Sequence, residues 1–270
     1  MWKLLLVGSS YLLFQLYANY KRVTTSRKKP VLHSLKLSHY VEKARWTLDL
    51  LEEDYEENCS YAVLGVFLAG RTLPALELAP RTILGDSDEI LTYMRGKHPR
   101  GNFLHAELNA EQQQLLAGMN VFGQNVRRFV YGYFLPGSPK LVKQFWRAGT
   151  GRLATVLGDV VLFPVAKFLI VPMLRIYPSG IDRSKTQVDE VLDQIDALLA
   201  DGREYLNGKQ LSELDIVFCS LIAPMVLEQN YGGATLPTLA ELDAKSQAVL
   251  APYQDRPFAK YCHAIYKKHR

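Results

Sequence analysis

Ser38 stands where two local patterns meet. Before it lies a short apolar run of strand character, Val31-Leu32-His33. After it, Tyr40, Val41, Ala44, Trp46, Leu48 and Leu51 recur at helical spacing. A helix start presents free N–H groups and partial positive charge. A thiolate held there is stabilised and its pKa falls, and a hydroxyl donating to the sulfur adds to the effect. Ser38 suits that chemistry, and it equally suits the simpler role of an N-cap. Two other stretches offer groups of a matching kind. Pro74 follows Leu73 near the start of a β-like run, and a proline there requires a sheet edge or a special turn. Asp86-Ser87 opens a second helical pattern. Ser87 and the adjacent N–H groups can receive a carboxylate, or the pair is a plain acidic cap.

The elements that must position these residues follow in order. The helix after Ser38 ends at Glu52-Glu53-Asp54, and Tyr55 begins an extended piece. Residues 56–70 show no clear period and read as a loop. Strands are expected over Thr72–Leu78 and Thr82–Leu84, then a helix over Ser87–Met94. Gly96 to Gly101 is rich in breakers and marks a domain boundary. Beyond it the pattern is helical throughout: Glu107–Phe134, Lys140–Arg152, Ser184–Ala200, Ser212–Leu227 and Arg256–Arg270. The division is a 30–97 domain of α/β type and an all-helical 104–270 domain. Leu153 to Tyr177 is very apolar, but Asp159, Lys167 and Arg175 interrupt it. Charges at those places argue against a membrane span and for a core helix or the lining of a substrate cleft.

The chain has 270 residues, a hydrophobic content of 48%, and a net charge of +5. The charge is unevenly placed. Lys3, Lys21, Arg22, Arg27, Lys28 and Lys29 precede every acid, and without those six the chain holds 26 bases against 27 acids. A nucleic-acid partner loses its support. The basic residues flank the apolar run Trp2–Asn19, which is just long enough to span a bilayer as a helix. Five charges after it and one before it place the bulk of the chain on the cytosolic side. Residues 1–20 are therefore expected to be a transmembrane anchor, 21–29 a basic linker, and the protein a single-pass membrane protein. A cleaved signal peptide is the competing reading, against which Leu16 stands where a small residue is usual. Cys59, Cys219 and Cys262 show neither a CxxC nor a metal spacing.

In their order, these signals resemble the glutathione transferase superfamily. Ser38-His39-Tyr40-Val41-Glu42-Lys43 is similar to the Ser-Pro-Phe-x-x-Arg segment of tau-like classes and the Cys-Pro-Phe segment of omega-like classes. It also resembles a bacterial His-Tyr-Cys-Glu-Lys-Ala-Arg-Trp segment, with Val41 at the cysteine. Leu73-Pro74 matches the hydrophobic residue plus cis-proline, and Asp86-Ser87 matches a Glu-Ser pair one residue further along. Arg71 lies near a lysine of the same motif. Tyr205 to Ile216 resembles the Leu-x-Gly-x-x-x-Ser-x-Ala-Asp segment of the helical half, where Ser212 and Asp215 form a capping box. His39 and Tyr40 replace the proline and phenylalanine, and His39 is expected to face solvent.

The resemblance implies a thioredoxin-like domain followed by an all-α domain, with glutathione as co-substrate, no cofactor and no metal. It makes Ser38 the catalytic residue. His39, Tyr40, Arg71, Leu73, Pro74, Asp86 and Ser87 become the glutathione contacts. Leu73 would offer its backbone to the cysteinyl part, Ser87 would take the γ-glutamyl carboxylate, and Asp86 would face the ammonium. The implied reaction is conjugation of glutathione to an apolar small-molecule electrophile, in a chain that can form a homodimer. The alternative is a non-catalytic, membrane-anchored adaptor on the same fold. Cysteine-based peroxidase or reductase chemistry is disfavoured, because neither Ser38 nor Val41 is a cysteine.

Overall fold

The computed structural model describes residues 29–59, 73–80, 82–137 and 177–270, together with Ser10 and Leu13. The first domain is built on a four-stranded sheet. Strand β1 (Val31–His33) leads through a five-residue loop into helix α1 (His39–Leu50), and β2 (Glu56–Asn58) follows. Strands β3 (Ala75–Ala79) and β4 (Thr82–Leu84) form a hairpin that runs into helix α2 (Ser87–Lys97). The strand order is β2-β1-β3-β4. β1 is parallel to β2 and antiparallel to β3, and β3 is antiparallel to β4. Leu32, Val41, Ala44, Leu48, Leu76, Ile90, Leu91 and Met94 are buried in the core that the sheet shares with the two helices.

Among the described residues five α-helices follow: α3 (Ala110–Gly137), α4 (Pro178–Leu199), α5 (Glu213–Val226), α6 (Ala244–Gln254) and α7 (Pro257–His269). Helix α5 is the axis of this half, with every residue from Leu214 to Val226 buried. A helix apolar all round has to be covered on all sides, and here α1, α3 and α7 supply the cover. Its start is held as the sequence suggests. Ser212 donates to the Asp215 carboxylate through both N–H (2.7 Å) and hydroxyl (2.6 Å). The Leu206 N–H and the Tyr261 hydroxyl complete the cage around that buried carboxylate. Helix α6 carries no clear apolar period and was not expected. Helix α4 begins six residues before the expected Ser184, at Pro178, where a proline is pre-set for the first turn.

One expectation is corrected. Among the described residues, no helix is long and apolar enough to cross a membrane. The transmembrane helix and the single-pass, cytosol-facing localisation drawn from it do not stand. Of residues 1–20 only Ser10 and Leu13 are described, and of the linker 21–29 only Lys29. The helix expected over 140–152 and the apolar stretch up to residue 176 also lie outside the described residues.

Candidate functional site

The sheet register explains why three stretches far apart in sequence share one end of the fold. β1 ends at His33, which pairs with Ala75, the first residue of β3. The loop that leaves β1 toward Ser38 therefore emerges beside Leu73-Pro74. Leu76 pairs in turn with Leu84, the last residue of β4, so the chain enters α2 through Asp86-Ser87 at the same end. The Leu73–Pro74 peptide bond is cis. Lys43, buried on α1, forms an ion pair with Asp88 in the first turn of α2 and ties the two helix starts together.

Ser38 occupies the N-cap of α1 with extended backbone angles. Its N–H donates to the Leu35 carbonyl at 2.8 Å, and its own carbonyl accepts from the Glu42 N–H at 2.9 Å. Its side chain makes no capping hydrogen bond. The hydroxyl is half-buried and remains available to a ligand. Asp86 behaves differently, since its Oδ1 accepts from the N–H groups of Asp88 (2.9 Å) and Glu89 (2.8 Å). That carboxylate is a working cap of α2. Ser87 behind it is buried, and Leu73 is half-buried. Arg71 lies outside the described residues.

His39 departs from expectation. It does not face solvent but is 4% exposed. The reason is tertiary: the first turn of α1 packs against α3 and α5. Burial, then the charges of Arg127 and Lys43, push its pKa down to about 3, against a weaker opposing hydrogen bond to the Leu221 backbone. The ring is neutral over the working pH range, and its Nε2 has no hydrogen-bond partner. So low a basicity disqualifies it as the base for a thiol. Tyr40 turns toward the helical domain, and its hydroxyl donates to the Asn120 carbonyl at 3.0 Å. Gly123 makes room for this contact, because a Cβ there would lie 2.8 Å from both the Tyr40 hydroxyl and the Leu221 side chain.

A set of charges that the sequence left without a role joins the two halves. Glu42 is 0% exposed. It accepts from Arg45 Nη1 at 2.5 Å, from Arg270 Nε at 3.1 Å and from the Gly232 N–H at 2.9 Å. Arg45 also reaches Glu57 at 2.5 Å, and Arg270 pairs with Asp49. The Trp46 indole N–H donates to the His269 carbonyl at 2.9 Å, and its ring lies 4.2 Å from that of Tyr266. The helix that carries Ser38 is thus locked to α7 and to the loop at Gly232. The signal was present as three charges close together, Glu42, Lys43 and Arg45, among the apolar positions Val41, Ala44, Trp46 and Leu48.

Fold and site together define a thioredoxin-like domain with a helical partner domain packed on its first helix. The family model described as "Glutathione S-transferase, N-terminal domain" matches residues 32–102. The sequence match is confined to the first domain, about a quarter of the chain. Solved structures agree on the fold. A glutathione transferase from Burkholderia graminis, with two glutathione molecules bound per subunit, aligns with a TM-score of 0.52 at 15% identity, covering 88% of this chain and 82% of that one. A glutathione S-transferase III in its apo form aligns with a TM-score of 0.51 at 18% identity, covering 89% and 95%. No curated protein matches the sequence significantly.

Proposed function

We propose that the protein binds glutathione at the sheet end shared by Ser38, Leu73-Pro74 and Asp86-Ser87, and conjugates it through its sulfur to an apolar electrophile. The single observation that carries this reading is Ser38. It sits at the start of a twelve-residue helix, half-exposed, with a hydroxyl that makes no capping bond. In the proposed step the thiol proton leaves to water, and the helix start and the Ser38 hydroxyl stabilise the thiolate that remains. The sulfur then forms a bond to the electrophilic carbon, and the leaving group departs with its electron pair or the double bond takes up a proton. The first turn of α1 with His39 and Tyr40, the Leu73 backbone beside Pro74, and Ser87 at α2 would hold the tripeptide. Arg71 would join them from outside the described residues.

The test separates binding from activation. Calorimetry on wild type should show glutathione binding at millimolar concentration or below. A hydrogen bond to a charged sulfur is worth about 1.5–3 kcal/mol, so Ser38→Ala should raise the pKa of the bound thiol by about 1–2 units. Turnover at neutral pH should fall about tenfold or more, while stability changes by less than about 0.5 kcal/mol, because no cap is lost. Absence of glutathione binding would remove the transferase reading. Binding with an unchanged thiol pKa in Ser38→Ala would leave a glutathione-binding domain without this activation.

A further inference from the structure

Arg127, on α3, faces the first turn of α1. Its guanidinium carbon lies 5.7 Å from the centre of the Tyr40 ring. Its Nε–H is buried and has no acceptor. Among the described residues no other arginine has a buried donor without a partner. Arg45, Arg95, Arg203, Arg256 and Arg270 each hold a carboxylate, whereas Arg127 holds none among the described residues. The nearest acid acting on Tyr40 is Asp88, and Lys43 already engages it. A buried guanidinium donor without an acceptor is a group waiting for an anion.

The surroundings suit the same ligand. The Tyr40 ring lies beside the guanidinium, and the His39 and Tyr40 rings meet edge to face at 4.6 Å. That ring surface, next to a cation with an unsatisfied donor, suits a flat apolar body that ends in a negative group. The start of α1 adds field of the same sign, and it lies only two residues from Tyr40.

We propose that the second substrate carries a carboxylate on an apolar, aromatic-sized body and that Arg127 receives that carboxylate beside the Ser38 helix start. This rests on the transferase reading given above and names the electrophile's class. Arg127 is a specificity-determining residue. Its planar fork matches a carboxylate in two hydrogen bonds, which a lysine cannot reproduce.

Two chlorodinitrobenzenes make the test: 2-chloro-1,3-dinitrobenzene, which is neutral, and 4-chloro-3,5-dinitrobenzoate, which is the same ring with a carboxylate added para to the chlorine. In both, the thiolate sulfur bonds to the ring carbon, the carbon–chlorine bond breaks, and chloride leaves with the bonding pair. The wild type should favour the benzoate in kcat/KM by about tenfold or more, as a charge-assisted bond implies. Arg127→Met should erase that ratio, and Arg127→Lys should keep part of it. An unchanged ratio in Arg127→Met, or no preference in wild type, overturns the assignment. Calorimetry with 3,5-dinitrobenzoate and 1,3-dinitrobenzene reads the same site without turnover. If glutathione fails to bind but the benzoate binds through Arg127, the anion site stands and the transferase reading falls. If glutathione binds and the benzoate binds no better than dinitrobenzene, the anion site falls alone.

Discussion

Replacing Glu42 with glutamine removes one charge and changes almost nothing in shape. The wild-type carboxylate is fully buried and serves three donors: Arg45, Arg270 and the Gly232 N–H. A glutamine can offer its carbonyl oxygen to only one side. With that oxygen kept on Gly232 and Arg270, its amide would point donor to donor at Arg45 Nη1. Orphaning a buried charge costs about 3–5 kcal/mol. Here Arg45 keeps Glu57 at 2.5 Å and Arg270 keeps Asp49. The loss should therefore lie just below that range, at about 2–3 kcal/mol. For a chain of this size that is about 4–12 °C in Tm. Urea unfolding of wild type, Glu42→Gln, Arg270→Met and the double variant measures it. The double variant should fall short of the sum by about 1 kcal/mol or more, since both changes act on one network. A loss under about 0.5 kcal/mol in Glu42→Gln, or strict additivity with Arg270→Met, would refute the claim that this carboxylate ties the halves together.

Two further outcomes follow from the same region. His39 has a folded pKa depressed from 6.5 to about 3, so below pH 6.5 the unfolded chain binds a proton that the folded chain refuses. Its contribution is fully present above about pH 6.5 and is lost as the pH falls toward 3, with a limiting slope of about 1.4 kcal/mol per unit. Denaturation at pH 7 and pH 5 should show wild type losing more stability than His39→Gln, and equal losses would contradict the buried neutral ring. The Gly232-Gly233 pair gives a comparison. A Cβ on Gly233 would lie 2.0 Å from the Lys36 carbonyl oxygen, whereas one on Gly232 would meet the end of the Arg270 side chain at 1.8 Å. The end of the Arg270 side chain can give by loosening its bond to Glu42 while keeping Asp49, whereas the backbone cannot. Gly233→Ala should cost about 1–3 kcal/mol and weaken glutathione binding by moving the loop before Ser38, while Gly232→Ala should do less on both counts. Thermal melts and calorimetry on the pair decide this.

Local signals were strong where short-range rules apply. Ser38 and Asp86 each mark a helix start, because residue type and the onset of a period suffice to place one. The Ser212-Asp215 box is legible for the same reason. Local rules do not say what a cap's side chain does once the chain is folded. Asp86 spends its Oδ1 on two N–H groups of α2, while Ser38, equally well placed, spends its hydroxyl on none. The apolar run 2–19 shows the opposite failing. Length and flanking charge suggested a membrane span, and among the described residues no helix has the length and apolarity to be one.

The sequence by itself determined the helix starts at Ser38, Asp86 and Ser212 and the apolar run of α5, since these depend on residues within a few positions of one another. It also carried enough pattern, from Ser38 through Asp86-Ser87, to point to the glutathione S-transferase N-terminal domain whose model matches residues 32–102. Only the tertiary structure decided which charges matter. His39 reads as a surface residue until α3 and α5 close over it. Glu42 and Arg45 read as ordinary helix charges until Arg270, 225 or more residues away, arrives beside them. Arg127 reads as one basic residue among 32 until it is seen facing Tyr40 with no acid to hold among the described residues. Burial and long-range pairing set these roles, because desolvation makes an unpaired charge costly only after distant segments have excluded water from it.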